Sequence, residues 1–256
     1  MQLAIPGYSD VSTGGARVIA QDAALPFVLD AIASAGALYD YAARHRDAET
    51  IQGRGTVYVV PGPGSHRWVV RHLAHGGLLA PVTGDRFLRL GTPRPFNELR
   101  VALELKQRGI PTPAVVAAAV YPSGLWYSGE VAREEIPDAM DLAACLFGES
   151  GLSESQRHDT LAQAGRLLGS LYRAGVIHPD LNLKNILVSW ADGAPKAHIL
   201  DLEKCRIVPH ASKLRRRQMF SRLRRSARRF AERTGRAISE DEWAWFYQSL
   251  VLKLRE

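Results

Sequence analysis

Between residues 176 and 188 the chain reads Val-Ile-His-Pro-Asp-Leu-Asn-Leu-Lys-Asn-Ile-Leu-Val, two apolar runs joined by a polar loop with fixed landmarks. Asp180 follows the first run and His178, and Asn185 stands five positions later, where the second run begins. The spacing suits phosphoryl transfer. A carboxylate orients a hydroxyl nucleophile and accepts its proton, and an amide oxygen beyond a tight loop holds a magnesium ion. Such a loop needs companions elsewhere in the chain, and their order decides the fold.

The first companion is a second metal ligand, and magnesium prefers hard oxygen donors such as a carboxylate. Sixteen residues past Asn185, the short apolar strand Ala197-His198-Ile199-Leu200 ends in Asp201. The intervening Ala191-Asp192-Gly193-Ala194-Pro195 has turn composition, with Asp-Gly as a hairpin signal. Pairing of the flanking strands would bring Asn185 and Asp201 to one end of a hairpin. The plainer alternative makes Asp201 a surface residue at a strand end.

The second companion is a cradle for phosphates. Gly53-Arg54-Gly55-Thr56 runs into the β-branched and aromatic Val57-Tyr58-Val59-Val60. Glycines let backbone amides approach phosphate oxygens closely, although two glycines before a strand also make an ordinary turn. Pro61-Gly62-Pro63-Gly64 then turns the chain, and Trp68 to Leu73 returns as a second strand carrying Arg71. The segment from Pro95 reads as a helix with Phe96, Leu99 and Leu103 on one face. Glu98, one turn in, is placed to reach Arg71 and hold it against the α and β phosphates of a nucleotide.

Taken in order, glycine loop, strand cation, helix glutamate, His-x-Asp-x-x-x-x-Asn loop and strand-end aspartate resemble the layout of the protein-kinase-like fold. The chain is more closely similar to the bacterial lipopolysaccharide kinase family, and within it to members that act on 3-deoxy-D-manno-octulosonic acid (Kdo). The segments that carry this are Gly53-Arg54-Gly55, Trp68-Val69-Val70-Arg71-His72, Gly76-Gly77-Leu78 and Arg94-Pro95-Phe96-Asn97-Glu98, followed by Ile110-Pro111-Thr112-Pro113, Glu134-Glu135-Ile136-Pro137 and the loop His178 to Asn185.

The resemblance implies an α+β, two-lobed fold with a nucleotide-binding lobe over 1–134 and a catalytic lobe over 135–256. It implies Asp180 as catalytic base and Asn185 and Asp201 as holders of magnesium. Arg71, paired with Glu98, would meet the phosphates of ATP, Gly53, Arg54, Gly55 and Thr56 would cover them, and Glu134 to Ile136 would form the hinge for adenine. The implied reaction is phosphorylation of a sugar hydroxyl, the 4-hydroxyl of Kdo on a lipid A precursor. A heptose or other core-sugar kinase of the same family and a non-catalytic pseudokinase are the alternatives. Three features depart from protein kinases: Arg71 stands where a lysine is usual, Tyr58 replaces the third loop glycine, and Leu-Glu follows Asp201.

Pro179 occupies the place of an arginine that commonly pairs with a phosphorylated activation loop. Only 55 residues follow Asp201 (256 − 201), too few for a long peptide-docking platform. A small hydroxyl compound or a glycolipid head is therefore the expected acceptor, and no protein partner is expected.

Length and composition, 256 residues with 46% hydrophobic and 23% charged, suit one large domain or two lobes sharing a cleft. Cys145 and Cys205 lack metal-ligand spacing, and with no secretory leader they point to a reducing compartment. No apolar run approaches the ~20 residues that cross a bilayer. The net charge of +7 is concentrated: residues 213–233 hold ten Lys or Arg and one acid, Glu232. Phe220, Leu223, Ala227 and Phe230 recur there at helical spacing, so one face docks and the arginines project. A solvated face, a face for anionic phospholipid and precursor phosphates, and a nucleic-acid surface are the three readings. The second is preferred, which expects a peripheral enzyme at the cytoplasmic face of the inner membrane; nucleic acid is not an expected partner, for lack of a basic-aromatic sheet.

Elsewhere, Pro26 to Arg46 and Asp138 to Phe147 read as helices. Ser153 opens a long helix with Gln156 placed for a capping box, a core stripe at Leu161, Ala164, Leu168 and Leu171, and an end at Gly175. His178 is read as a structural residue that holds backbone near the metal-binding strand.

Overall fold

The computed structural model describes residues 5–51, 55–74, 85–190, 193–209 and 211–255. The chain forms two compact units, Met1–Arg100 with Ala114–Glu135, and Val101–Pro113 with Ile136–Glu256.

The first unit is built on an antiparallel sheet. A hairpin opens it, β1 (Tyr8–Thr13) and β2 (Ala16–Gln21), joined by Gly14 and Gly15. Both glycines have positive φ, 53° and 81°, the backbone that a two-residue turn needs to match strand twist. Helices α1 (Leu25–Ala35) and α2 (Leu38–Arg44) follow, where one continuous helical stretch was expected. The break is at Gly36, φ 87°, whose N–H bonds back to Ile32.

Next come β3 (Glu49–Ile51), β4 (Val57–Pro61), β5 (Arg67–His72), β6 (Phe87–Leu88), α3 (Arg94–Gln107), β7 (Val115–Ser123) and β8 (Trp126–Glu134). The order across the sheet is β1-β2-β7-β8-β5-β4-β3, with β6 beside β8. Trp68, Val70 and Ala132 point to the face covered by α1 and α2, and there they pack with Val28, Ala31, Ile32, Leu38 and Ala42. Side chains alternate along a strand, so Arg71 on β5 and Arg133 on β8 emerge on the opposite face, toward α3.

The second unit holds β9 (Met140–Asp141), α4 (Leu142–Phe147), α5 (Glu154–Arg173), β10 (Val176–Ile177), β11 (Ile186–Ser189), β12 (Lys196–Ile199), β13 (Arg206–Ile207), α6 (Lys213–Thr234) and α7 (Glu240–Arg255). The expected helix from Asp138 is shortened, because Met140 and Asp141 pair with Val188 and Leu187 instead. The Asp141 side chain then accepts from Ala144 N at 2.7 Å and starts α4. Helix α5 begins with the expected Ser153–Gln156 capping box. Leu161, Ala164, Leu168 and Leu171 are all buried.

Helix α7 packs along α5 at unusually close range, and two glycines permit it. A methyl at Gly165 would overlap the Phe246 carbonyl, and one at Gly169 would lie 2.7 Å from Leu250 O. Among the described residues no helix is long and apolar enough to cross a membrane.

Candidate active site

Strands β3 and β4 pair antiparallel on either side of the glycine segment. Register pairs Ile51 with Val57, so Gly55 and Thr56 lead directly into β4. Gly53 and Arg54 lie outside the described residues. No described residue lies within 4 Å of where a Gly55 Cβ would be, so packing against the described residues does not require glycine there. The Tyr39 hydroxyl donates to Thr56 O at 2.9 Å and ties the start of β4 to α2.

Arg71 is the fourth residue after Arg67 begins β5, opposite Val57 on β4 and Val131 on β8. Its Nη2 donates to Glu98 Oε2 at 2.7 Å, the pair the sequence pattern anticipates. Glu98 sits at 1% side-chain exposure, and a carboxylate that deep requires charged partners. Sequence reasoning missed the second of them: Arg133 Nη2 meets the other oxygen, Oε1. Glu134 ends β8 with its N–H on Ala114 O (2.9 Å) and its carboxylate 4.0 Å from His66 Nδ1. Ile136 is the first residue of the second unit's longer segment.

In the second unit the loop after β10 is fixed by its own amides. Asp180 O accepts from Asn182 Nδ2 at 2.8 Å and from Asn185 Nδ2 at 3.0 Å, while Asn182 Oδ1 caps Lys184 N at 2.9 Å. Leu181 and Leu183 are buried and pin the loop from below. Leu183 N donates to Ser226 Oγ at 3.3 Å, which ties this loop to α6. The Asp180 carboxylate is half exposed, and Lys204 Nζ donates to its Oδ2 at 3.0 Å. Neither Ser226 nor Lys204 was singled out from sequence. Lys204 stands three residues past Asp201, a spacing that could have flagged it.

The hairpin of β11 and β12 forms with Ile186 opposite Ile199, and Leu200 N donates to Asn185 O at 2.9 Å. Asn185 and Asp201 therefore flank the open end of one ladder. Asp201 has φ 60°, a left-handed backbone uncommon for a residue with a side chain and often associated with function. His178, 1% exposed, makes a 2.9 Å hydrogen bond from Nε2 to Leu200 O. Burial pushes its pKa down, against the opposing pull of that bond and of Asp201 and Asp180, so the ring is the neutral donor expected of a structural residue.

An amide oxygen and a carboxylate are hard donors, and two protein ligands leave places for phosphate oxygens and water. That matches the magnesium habit of binding through few side chains plus substrate. Asn185 Nδ2 is turned to Asp180 O, which puts its Oδ1 on the other side of the amide. The donor set fits the ion.

Strand cation, helix carboxylate, loop aspartate and strand-end aspartate occur in the order and on the elements of protein-kinase-like phosphotransferases, and the class follows from that agreement. Among solved structures, one titled "WaaP in complex with acyl carrier protein" matches with a TM-score of 0.55 over 82% of this chain and 83% of that one, at 17% identity, a likeness of fold. The description "Lipopolysaccharide kinase (Kdo/WaaP) family" matches residues 41–249. The 3-deoxy-D-manno-octulosonic acid kinase of Haemophilus influenzae (strain PittEE) is 31% identical over 202 residues, 75% of this chain and 80% of that protein. The enzymes of the same name from Actinobacillus succinogenes and Vibrio parahaemolyticus are 32% and 34% identical, covering 77% and 68% of this chain and 82% and 69% of their own lengths. The chain belongs to the lipopolysaccharide kinase (Kdo/WaaP) family.

Proposed function

We propose that this protein transfers the γ-phosphoryl of ATP to a sugar hydroxyl of the lipopolysaccharide core, the 4-hydroxyl of Kdo on a lipid A precursor. The observation that carries the reading is the Asp180 loop bonded to the Asn185–Asp201 ladder end, in a chain whose relatives are named Kdo kinases at 30% identity or more. In this reading Lys204 holds Asp180 Oδ2, and Oδ1 orients the acceptor hydroxyl and takes its proton. Asn185 and Asp201 would hold magnesium, which would supply neutralisation of the phosphate charge. Arg71, steadied by Glu98, meets the α and β phosphates, Gly55 and Thr56 cover them, and Glu134 to Ile136 border adenine.

The test is transfer from ATP with purified protein, magnesium and a Kdo-bearing lipid A precursor, followed by mass spectrometry and NMR of the product. A phosphate on the Kdo 4-hydroxyl, lost in Asp180→Ala, is the expected result. Transfer to a heptose acceptor instead would assign a sibling specificity. Nucleotide binding without transfer to any core sugar would leave a pseudokinase.

The acceptor's place at an anionic membrane surface belongs to the same proposal. Helix α6 buries Met219, Leu223 and Ala227 and stacks Phe230 on Phe147 at 5.7 Å, while Arg217, Arg224, Arg225, Arg228 and Arg229 stay exposed. A polybasic face of this kind is attracted to anionic headgroups, and salt weakens it. Co-sedimentation with anionic vesicles, weakened by Arg225→Gln with Arg228→Gln and Arg229→Gln and absent with neutral vesicles, is the expected outcome. Equal recovery on both vesicle types, or in neither, would remove the membrane part and leave the enzyme part standing.

A further inference from the structure

Glu98 is shared between two strands. Its Oε2 accepts from Arg71 Nη2 at 2.7 Å, and its Oε1 faces Arg133 Nη2. Arg71 lies opposite Val131, and Val69 lies opposite Arg133. The two arginines are thus diagonal neighbours on one face of adjacent antiparallel strands, close enough for long side chains to converge. Arg133 is 11% exposed and Glu98 1%, so the junction is enclosed by the sheet and α3.

We infer that Arg133 is a positioning residue for nucleotide binding: it anchors Glu98, and through Glu98 it sets the Arg71 guanidinium that meets the phosphates. This rests on the kinase reading above and deepens its nucleotide half. A carboxylate engaged through one oxygen can still swing about its terminal torsion, which is soft. Held at one oxygen by the Arg71 hydrogen bond and at the other by the Arg133 ion pair, from different strands, it is restrained in plane and in depth. Arg71 then meets a stationary partner. A long side chain ordered before the ligand arrives loses less freedom when it binds. The planar fork of arginine also suits this place better than an ammonium, because one Nη can stay on Glu98 while the plane presents to a phosphate.

The experiment titrates ADP and adenosine calorimetrically into full-length wild type, Arg133→Met, Arg133→Lys, Arg71→Met and the Arg71→Met/Arg133→Met double variant, with each melting temperature recorded. Arg133→Met is expected to weaken ADP on the order of 10- to 100-fold, as when the group that orients a ligating side chain is removed, and to leave adenosine unchanged. Arg133→Lys should fall between wild type and Arg133→Met, and it carries the comparison if Arg133→Met does not fold. In the Arg71→Met background, Arg133→Met should cost no further ADP affinity. Unchanged ADP affinity, a parallel loss of adenosine, or full additivity with Arg71→Met would each overturn the inference. If wild type binds ADP and transfers phosphate while Arg133→Met matches it, this inference falls alone. If wild type neither binds ADP nor transfers phosphate, the kinase reading falls with it.

Discussion

Asp180 is held by its backbone rather than by its side chain. Two asparagine amides grip its carbonyl, while the carboxylate stays half exposed with a single lysine on one oxygen. Replacing it therefore removes chemistry without loosening the loop. Asp180→Ala is expected to slow transfer on the order of 10²- to 10⁴-fold with the melting temperature and ADP affinity near wild type, measured by turnover, scanning calorimetry and titration. A comparable drop in melting temperature would make Asp180 structural. Asp180, Asn185 and Asp201 were legible in the sequence because twenty-two residues contain them and a turn signal sits between. Arg133 and Ser226 were not. Each acts on a partner through strand pairing or helix docking across many residues of chain, 35 from Glu98 and 43 from Leu183, and no local pattern marks such a meeting.

At the level of elements, the strands and helices with strong periodicity or caps came through: β4, β5, α3, the capped α5 and the basic α6. The β1–β2 hairpin did not, although Gly14-Gly15 between Thr13 and Ala16 is a recognisable two-residue turn signal. Helix α7 escaped for a different reason. Its apolar residues make sense only against α5, where Gly165 and Gly169 let the backbone of α7 come within methyl-excluding range. Gly165→Ala is expected to destabilise the protein by about 1–3 kcal/mol, since the added methyl meets a backbone carbonyl that cannot rotate away. The same change at Gly235, where a Cβ would meet nothing within 4 Å, tests only the cost of a left-handed backbone. Chemical denaturation of both variants separates the two effects; equal losses would show that the α5–α7 contact is not tight.

Stability of the whole protein should depend on pH through three imidazoles. Burial pushes His178 down and His198 down to about 4, the latter also feeling Lys196. A histidine kept neutral by the fold contributes stability that is present above the unfolded value of ~6.5 and is lost as pH falls below it. His72 runs the other way. The Glu130 carboxylate opposite it holds its pKa up against burial, with Asp85 and Asp40 adding to the pull. That contribution is complete below ~6.5 and is lost as pH rises through the raised value. Unfolding free energy should therefore peak near pH 6.5. His198→Gln should flatten the acid limb between about pH 6.5 and 4, and His72→Gln the alkaline limb. Unaltered limbs in both variants would show that other groups set the profile.

The carboxylate shared by Arg71 and Arg133 also bears on descent. Neither arginine can drift independently, because losing one leaves a half-matched charge in the interior of the sheet. Residues 71, 98 and 133 are therefore expected to be inherited as a set. A lineage that exchanged arginine for lysine on β5 would be expected to have changed the residue at 133 in the same step or just before it, and the order of those two substitutions would be recorded in its living members.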